Sequence, residues 1–145
     1  TDASDADYFK VSDILDKKIE KKKLAFDHNE ILLDAVNLFV TKMALEPVAL
    51  DFCDEKFTIG DVRAVYESFW KIAHNIENIE LGNFQNKLIK QVDEEGNPVI
   101  IPMPDKPENK RQQEGRGAPA LLYTRNKKAT YFSHVMTPSR KNTAK

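Results

Sequence analysis

Three segments with helical apolar spacing, two short apolar strands and a basic loop between those strands predict an α+β fold, mainly helical. The type is a winged helix-turn-helix: three helices plus a β-hairpin wing. The order helix, helix, helix, strand, loop, strand carries this expectation. It lets the third helix enter a major groove, which is wide enough for it, while cations on the hairpin meet phosphates.

The first helix opens after Asp27, a good N-cap, with Glu30 at capping-box spacing. Leu32, Ala35, Val36, Phe39 and Met43 recur at helical spacing and predict one buried stripe. Pro47 marks its end, and Ala49 to Phe52 reads as a short connection or extended piece. Ahead of the helix, Tyr8 to Val11 reads as a strand. The lysine-rich run Lys17 to Lys23 reads as a solvated loop or frayed helix in preference to a phosphate site.

The second helix is capped by Thr58, with Asp61 placed to suit the helix dipole. Val62, Val65, Tyr66, Phe69, Trp70 and Ala73 form a wide aromatic stripe, expected to be core and not a cofactor site. Arg63 and Glu67, one turn apart, are expected to form a surface ion pair. After a polar break from His74 to Asn78, a shorter third helix runs from about Glu80 to Gln91. Leu81, Phe84 and Leu88 anchor it inward, and Asn83, Gln85, Asn86, Lys87 and Lys90 project elsewhere.

Gly96-Asn97-Pro98 signals a turn into a strand at Val99 to Ile101, and Ala120 to Thr124 is its partner. Pro102 to Gly117 holds three prolines, two glycines and many charges, so a flexible loop is expected. Its stretch from Met103 to Glu114 is expected to be mobile, with nothing to pack against. Thr130 to Phe132 reads as a last short strand. Beyond Met136 disorder is expected.

The chain has 145 residues, 41% hydrophobic and 31% charged, enough for one real core. A single Cys53 excludes an internal disulfide and a multi-thiolate metal centre. The polar, acidic start and the lack of a long apolar run argue against a signal peptide and a membrane span, so cytoplasmic residence is expected. Net charge is -1, but residues 1–56 carry -5 and residues 57–145 carry +4. From Lys110 onward nine cations face one acid, Glu114. This asymmetry suggests a phosphate-bearing partner for the C-terminal part; a solvated basic tail is the plainer reading.

Amides pair with adenine edges, so Asn83, Gln85 and Asn86 are the candidate base readers. For Asn83 a capping role is the alternative. Lys87 and Lys90 suit phosphates, because a flexible ammonium acts as a point charge. Lys110, Arg111 and Arg116 are the candidate wing contacts, against the alternative of mobile loop cations. His28, His74 and His134 are scattered, and Glu94-Glu95 sits in a turn where solvation explains it. No cofactor, metal site or catalytic set is expected.

Four segments, Phe57 to Glu67, Asn83 to Leu88, Gly115 to Tyr123 and Leu24 to His28, together resemble those of the Nudix-related transcriptional regulators of the NAD-metabolism type. Phe57 to Glu67 (Phe-Thr-Ile-Gly-Asp-Val-Arg-Ala-Val-Tyr-Glu) resembles a helix of their wing domain. Asn83-Phe84-Gln85-Asn86-Lys87-Leu88 looks like their recognition motif Asn-Phe-Arg-Arg-Lys. Gly115-Arg116 with Pro119-Ala120 and Leu122-Tyr123 is similar to their Gly-Arg-Pro-Ala wing return. Leu24-Ala25-Phe26-Asp27-His28 resembles the opening of the last helix of their Nudix domain. The chain departs from the pattern in three ways. It has no Nudix box, Gln85 and Asn86 replace arginines, and Gly117-Ala118 is inserted before Pro119.

The resemblance implies residues 1–45 as the end of a Nudix-fold domain, its last helix belonging to that domain alone or shared with the winged helix, 46–136 as the winged helix, and 137–145 as a disordered tail. It implies sequence-specific binding of double-stranded operator DNA, usually as a homodimer. A nucleotide-like effector of the ADP-ribose type would be sensed in a mostly absent N-terminal domain. The chain is then expected to be a portion of a longer regulator, without pyrophosphohydrolase activity, since the metal needs clustered carboxylates. Two alternatives stand beside this: part of an active Nudix hydrolase using Mg²⁺, and a winged helix that binds protein.

Overall fold

Tyr66 lies where three helices meet. The computed structural model describes residues 28–76, 79–112 and 117–138. Helix α1 spans His28–Leu45, α2 Ile59–His74 and α3 Leu81–Ile89. Tyr66, on α2, is fully buried and donates its hydroxyl to the Met43 carbonyl of α1 at 2.7 Å. Its ring packs edge-on against Trp70 and against Phe84 of α3, at 5.0 and 5.3 Å between centroids. The aromatic stripe predicted on α2 is therefore the centre of the core. The expected strand at Tyr8 to Val11, the lysine run and the Asp27 cap lie outside the described residues.

Helix α2 starts as expected. The Thr58 hydroxyl accepts from the Asp61 N–H at 3.1 Å, and the Asp61 carboxylate accepts from the Thr58 N–H at 3.0 Å, a complete capping box. It ends at Asn75, which adopts a left-handed conformation, φ 54°. The Ile76 N–H then reaches back to the Trp70 carbonyl at 3.5 Å, closing the orphan end of the helix.

Helix α1 differs from its expected stripe at two positions. Val40 is buried with Val36 and Met43, whereas Ala35 is exposed. Counted at 3.6 residues per turn, Val40 follows Val36 by one turn on the core side, and Ala35 sits on the exposed flank, about 100° away. The end of α1 is completed by distant groups. The carbonyls of Met43, Ala44 and Leu45 accept from the Tyr66 hydroxyl, the Met136 N–H and the Phe132 N–H, at 2.7, 2.8 and 2.8 Å.

The stretch expected to be a connection or extended piece is a 3-10 helix, Pro47–Phe52. Pro47 at its first position supplies the helical φ without a missing hydrogen bond. Phe52 on it joins Phe39 and Phe69 in an aromatic cluster, at 5.3 and 5.7 Å.

The wing comprises strands β1 (Ile100–Pro102), β2 (Lys110–Arg111), β3 (Ala120–Leu121) and β4 (Tyr123–Arg125). The expected hairpin is present, with Ile100 opposite Arg125 and Pro102 opposite Tyr123, antiparallel. Tyr123 also exchanges two hydrogen bonds with Phe57, so β4 lies between β1 and the residue leading into α2. A second pair, Lys110 opposite Leu121 and Arg111 opposite Ala120, extends the hairpin outward.

That second pair corrects the structureless loop expected from Pro102 to Gly117. Pro107–Asn109 form a turn of 3-10 helix, and the Asn109 side chain is buried, donating to the Pro104 carbonyl at 2.8 Å. The Asn109 carbonyl accepts from Leu122 and the Leu122 carbonyl from Met103. Polar backbone and one amide, not apolar side chains, organise this segment; a reading based on hydrophobic pattern has no access to that.

No strand forms at Thr130 to Phe132. The segment crosses the end of α3 as an irregular strap. Phe132 and Met136 spend their N–H groups on the end of α1, so neither is available to a sheet. Met136 is buried; Thr137 and Pro138 are described, and the rest of the expected tail lies outside the described residues.

Candidate nucleic-acid interface

Among the residues of the third helix whose burial is described, two, Phe84 and Leu88, are turned fully inward. Phe84 and Leu88 are buried, one turn apart, and fix the orientation of α3 against Tyr66. At 100° per residue the direction opposite to them falls on Asn86, with Asn83 and Lys90 beside it. All three are exposed. Gly82 and Ile89 complete this outer face.

The candidate readers are thus not equivalent. Gln85 is half-buried, on the flank of the helix next to the buried row and away from Asn83 and Lys90. Asn83 donates its amide to the Glu80 carboxylate at 3.0 Å, which gives it the local turn role weighed against base contact. Lys87 lies on the other flank, half-buried, and donates its ammonium to the Thr137 carbonyl at 3.0 Å. Asn86 and Lys90 are the pair that the fold leaves at the centre of the surface.

The wing cations are held in place. Arg111 meets the Asp61 carboxylate at 2.5 Å and lies 3.5 Å from the Lys56 carbonyl. Asp61 therefore serves the capping box of α2 and the base of the wing with one side chain. Lys110 pairs with Asp105 at 2.7 Å, and Arg125 pairs with Asp51 of the 3-10 helix. Arg116 lies outside the described residues. Arg63 and Glu67 form the expected pair at 3.6 Å, and the Glu67 carboxylate also accepts from the Ile79 N–H in the turn before α3, at 3.4 Å.

Beside the wing, Asp93 organises the turn that leads into β1. Its carboxylate accepts from the N–H groups of Asn97 and Glu95 and from the Asn126 amide, at 2.8 to 2.9 Å. The Asn97 N–H, then the Asn126 amide, hold it below the ordinary carboxylate range. Gly96 takes φ 81° in this turn, a conformation that favours glycine.

The residue that the sequence reading missed is Gln91. It is fully buried, at the end of α3, and its side chain clamps the strap. The amide donates to the His134 carbonyl at 2.9 Å, while its oxygen accepts from the His134 N–H at 2.9 Å and from the Ser133 hydroxyl at 3.1 Å. Ser133 in turn accepts from the Val92 N–H at 3.1 Å. The available signal was a polar residue seven positions after Phe84, on the inward row of the helix.

Among the described residues no three His, Cys, Asp or Glu side chains come together to hold a metal. No helix among them is long and apolar enough to cross a membrane.

No family model matches the sequence, and no curated protein is significantly similar to it. One solved structure is similar: Shewanella oneidensis NrtR complexed with a 27mer DNA. The superposition has a TM-score of 0.62 at 22% identity and covers 93% of this chain. This chain spans 53% of that protein's chain, about half its length. At this identity the likeness is one of fold, and it agrees with the helix order and wing described above: the chain has a winged-helix fold.

Proposed function

We propose that this chain is the sequence-specific DNA-binding module of a transcriptional regulator, with α3 as the reading helix. The observation that carries the reading is the outer face of α3. Asn86 stands at its centre with Lys90 one turn on, exposed, on a helix fixed from behind by Phe84 and Leu88. An amide reads base edges and an ammonium meets phosphate, so the two neighbours supply the two kinds of contact that specific binding needs. The similar fold of a protein solved in complex with DNA supports it.

The sequence resemblance supports a fuller picture. In it the module belongs to a cytoplasmic regulator of the Nudix-related, NAD-metabolism type that works as a homodimer. An ADP-ribose-like effector acts through residues outside the winged helix. Lys110 and Arg111, each paired with an acid here, reach phosphates by exchanging that acid for the duplex. Lys87 and Gln85 contribute from the flanks of α3, and Arg116 adds a further cation.

The test is selection from a random duplex library with the purified chain, followed by binding curves on the enriched and on scrambled duplexes. Enrichment of one sequence family, with tighter binding than to scrambled duplex, is the expected result. Equal, weak binding to every duplex would sink the reading and leave a winged helix that binds protein.

A further inference from the structure

Helix α3 is nine residues long and rests on the core through Phe84 and Leu88. These two lie one turn apart, in a single row along the helix. Two supports in one row decide which face meets the core. They resist a modest roll about that row, or a swing of the helix ends, only weakly. Roll matters on this helix, because consecutive residues point about 100° apart and a rotation brings one flank outward at the expense of the other. Attachments off the row and at the ends therefore set which side chains stand at the centre of the outer face.

The strap supplies such attachments. Between Phe132 and Thr137 it is stitched alternately to α1 and to α3. The Phe132 N–H bonds the Leu45 carbonyl at the end of α1, at 2.8 Å. Ser133 and His134 then bond the buried Gln91 side chain, just beyond α3. The Met136 N–H returns to α1, at the Ala44 carbonyl, 2.8 Å away. The Thr137 carbonyl returns to α3 and accepts from the Lys87 ammonium at 3.0 Å. Gln91 thus holds the end of α3, and Lys87, on a flank beside the row of Phe84 and Leu88, opposes roll. On the other side of the strap Met136 is buried, and its packing keeps the strap seated on α1.

We propose that the strap is a positioning element that ties the end of α3 to the end of α1, with Gln91 and Met136 as its positioning residues. Neither side chain is exposed, so neither needs to meet a ligand to act. Gln91 grips the strap from α3, and Met136 anchors it on α1. A roll or swing of α3 then has to break hydrogen bonds whose other end is fixed on α1. For its effect on sequence preference the proposal rests on the DNA-binding reading; the link between the two helix ends does not.

Hydrogen exchange of the chain without DNA tests the link, at a temperature where every variant is folded. The reporters are the N–H groups of Lys90 and Gln91, which bond the Asn86 and Leu88 carbonyls at 3.3 and 3.2 Å. Their rates are read against those of Tyr66 and Trp70 in α2. Met136→Ala, made on the α1 side of the strap, should speed the reporters at least tenfold relative to α2. Val36→Ala, a core lesion on α1 about 12 Å from Ala44 along the helix, should leave that ratio unchanged. Met136→Leu refills the same space and should stay close to the parent. Met136→Val, a smaller cut, should give the same result with a smaller shift if the alanine variant does not fold. On the duplex enriched by selection, Met136→Ala should also lower the preference over scrambled duplex at least threefold, with little change on the scrambled one. Unmoved reporters, an equal change in Val36→Ala, or a preference indifferent to Met136→Ala overturns the proposal. A parent with no preference for any duplex sinks the DNA-binding reading instead, and the exchange ratios alone then decide on the strap.

Discussion

Gln91 holds the backbone of His134 from both sides, giving its amide proton to the carbonyl and taking the N–H on its oxygen. Two peptide groups of the strap are thereby satisfied by one buried side chain at the end of α3. Gln91→Ala should destabilise the fold by about 1–3 kcal/mol, because buried polar groups lose their partner. The Gln91→Glu variant keeps the acceptor but loses the donor to the carbonyl, and should also be less stable than the parent. Hydrogen exchange would localise the effect. Faster exchange at His134 and Met136 is expected, and unchanged protection there would refute the clamp.

Asp61 serves two partners, so its removal should cost more than the loss of either alone. Asp61→Ala is expected to destabilise by about 1–2 kcal/mol, mostly through the capping box. Arg111→Ala removes only a half-exposed ion pair and should cost less, about 0–1 kcal/mol. Urea unfolding of both variants checks the order. A larger loss for Arg111→Ala would mean that Arg111 contributes through more than its bond to Asp61, the Lys56 carbonyl being its other partner.

Cys53 sits near the same carboxylate. Burial first, then Asp61 and Asp54, push its thiol up to about 11, with Arg111 opposing. Alkylation follows the thiolate, so the labelling rate with iodoacetamide should stay low at neutral pH and rise toward pH 11. Asp61→Asn should move the profile to lower pH, and Arg111→Ala to higher pH. A profile centred near the ordinary thiol value would contradict the burial of this group.

The outer face of α3 makes a graded prediction. Asn86→Ala should cost roughly 1–3 kcal/mol on the selected duplex and little on random DNA. Lys90→Ala should weaken binding to all sequences and flatten the plot of log affinity against log salt by about one unit. Gln85→Ala should have a smaller effect on specificity than Asn86→Ala, given its half-buried flank position. Titrations at several salt concentrations would show this. A larger loss of specificity at Gln85 than at Asn86 would mean that α3 presents a different side to DNA.

The helices were legible because periodicity reports burial. Val62, Tyr66 and Trp70 recur at helical spacing and are the core. The Thr58–Asp61 box was legible because its two partners are three residues apart. The strap, the Asn109 turn and the Asp61–Arg111 latch were not, since each joins polar groups by geometry that no local pattern encodes. Val40 and Ala35 were exchanged for a related reason. Both suit a helix, and only the packing of α2 against α1 decides which faces inward. For the candidate readers, sequence adjacency suggested that Gln85 and Asn86 act together, whereas consecutive helical residues point in different directions.

The closing of α1 by Tyr66, Phe132 and Met136 has a consequence for the order of events during synthesis. Helix α1 leaves the ribosome before them, but two of the three groups that finish its last turn, Phe132 and Met136, are among the last described residues to emerge. Until they arrive, the carbonyls of Ala44 and Leu45 have only water to bond. Such distant contacts bring a loop-closure cost before they contribute stability. The nascent chain should therefore hold α1 with a frayed end and acquire its full cooperativity only after Met136 is released. Arrest peptides placed beyond that point should report a sharp gain in folding force, absent from chains stopped before Phe132.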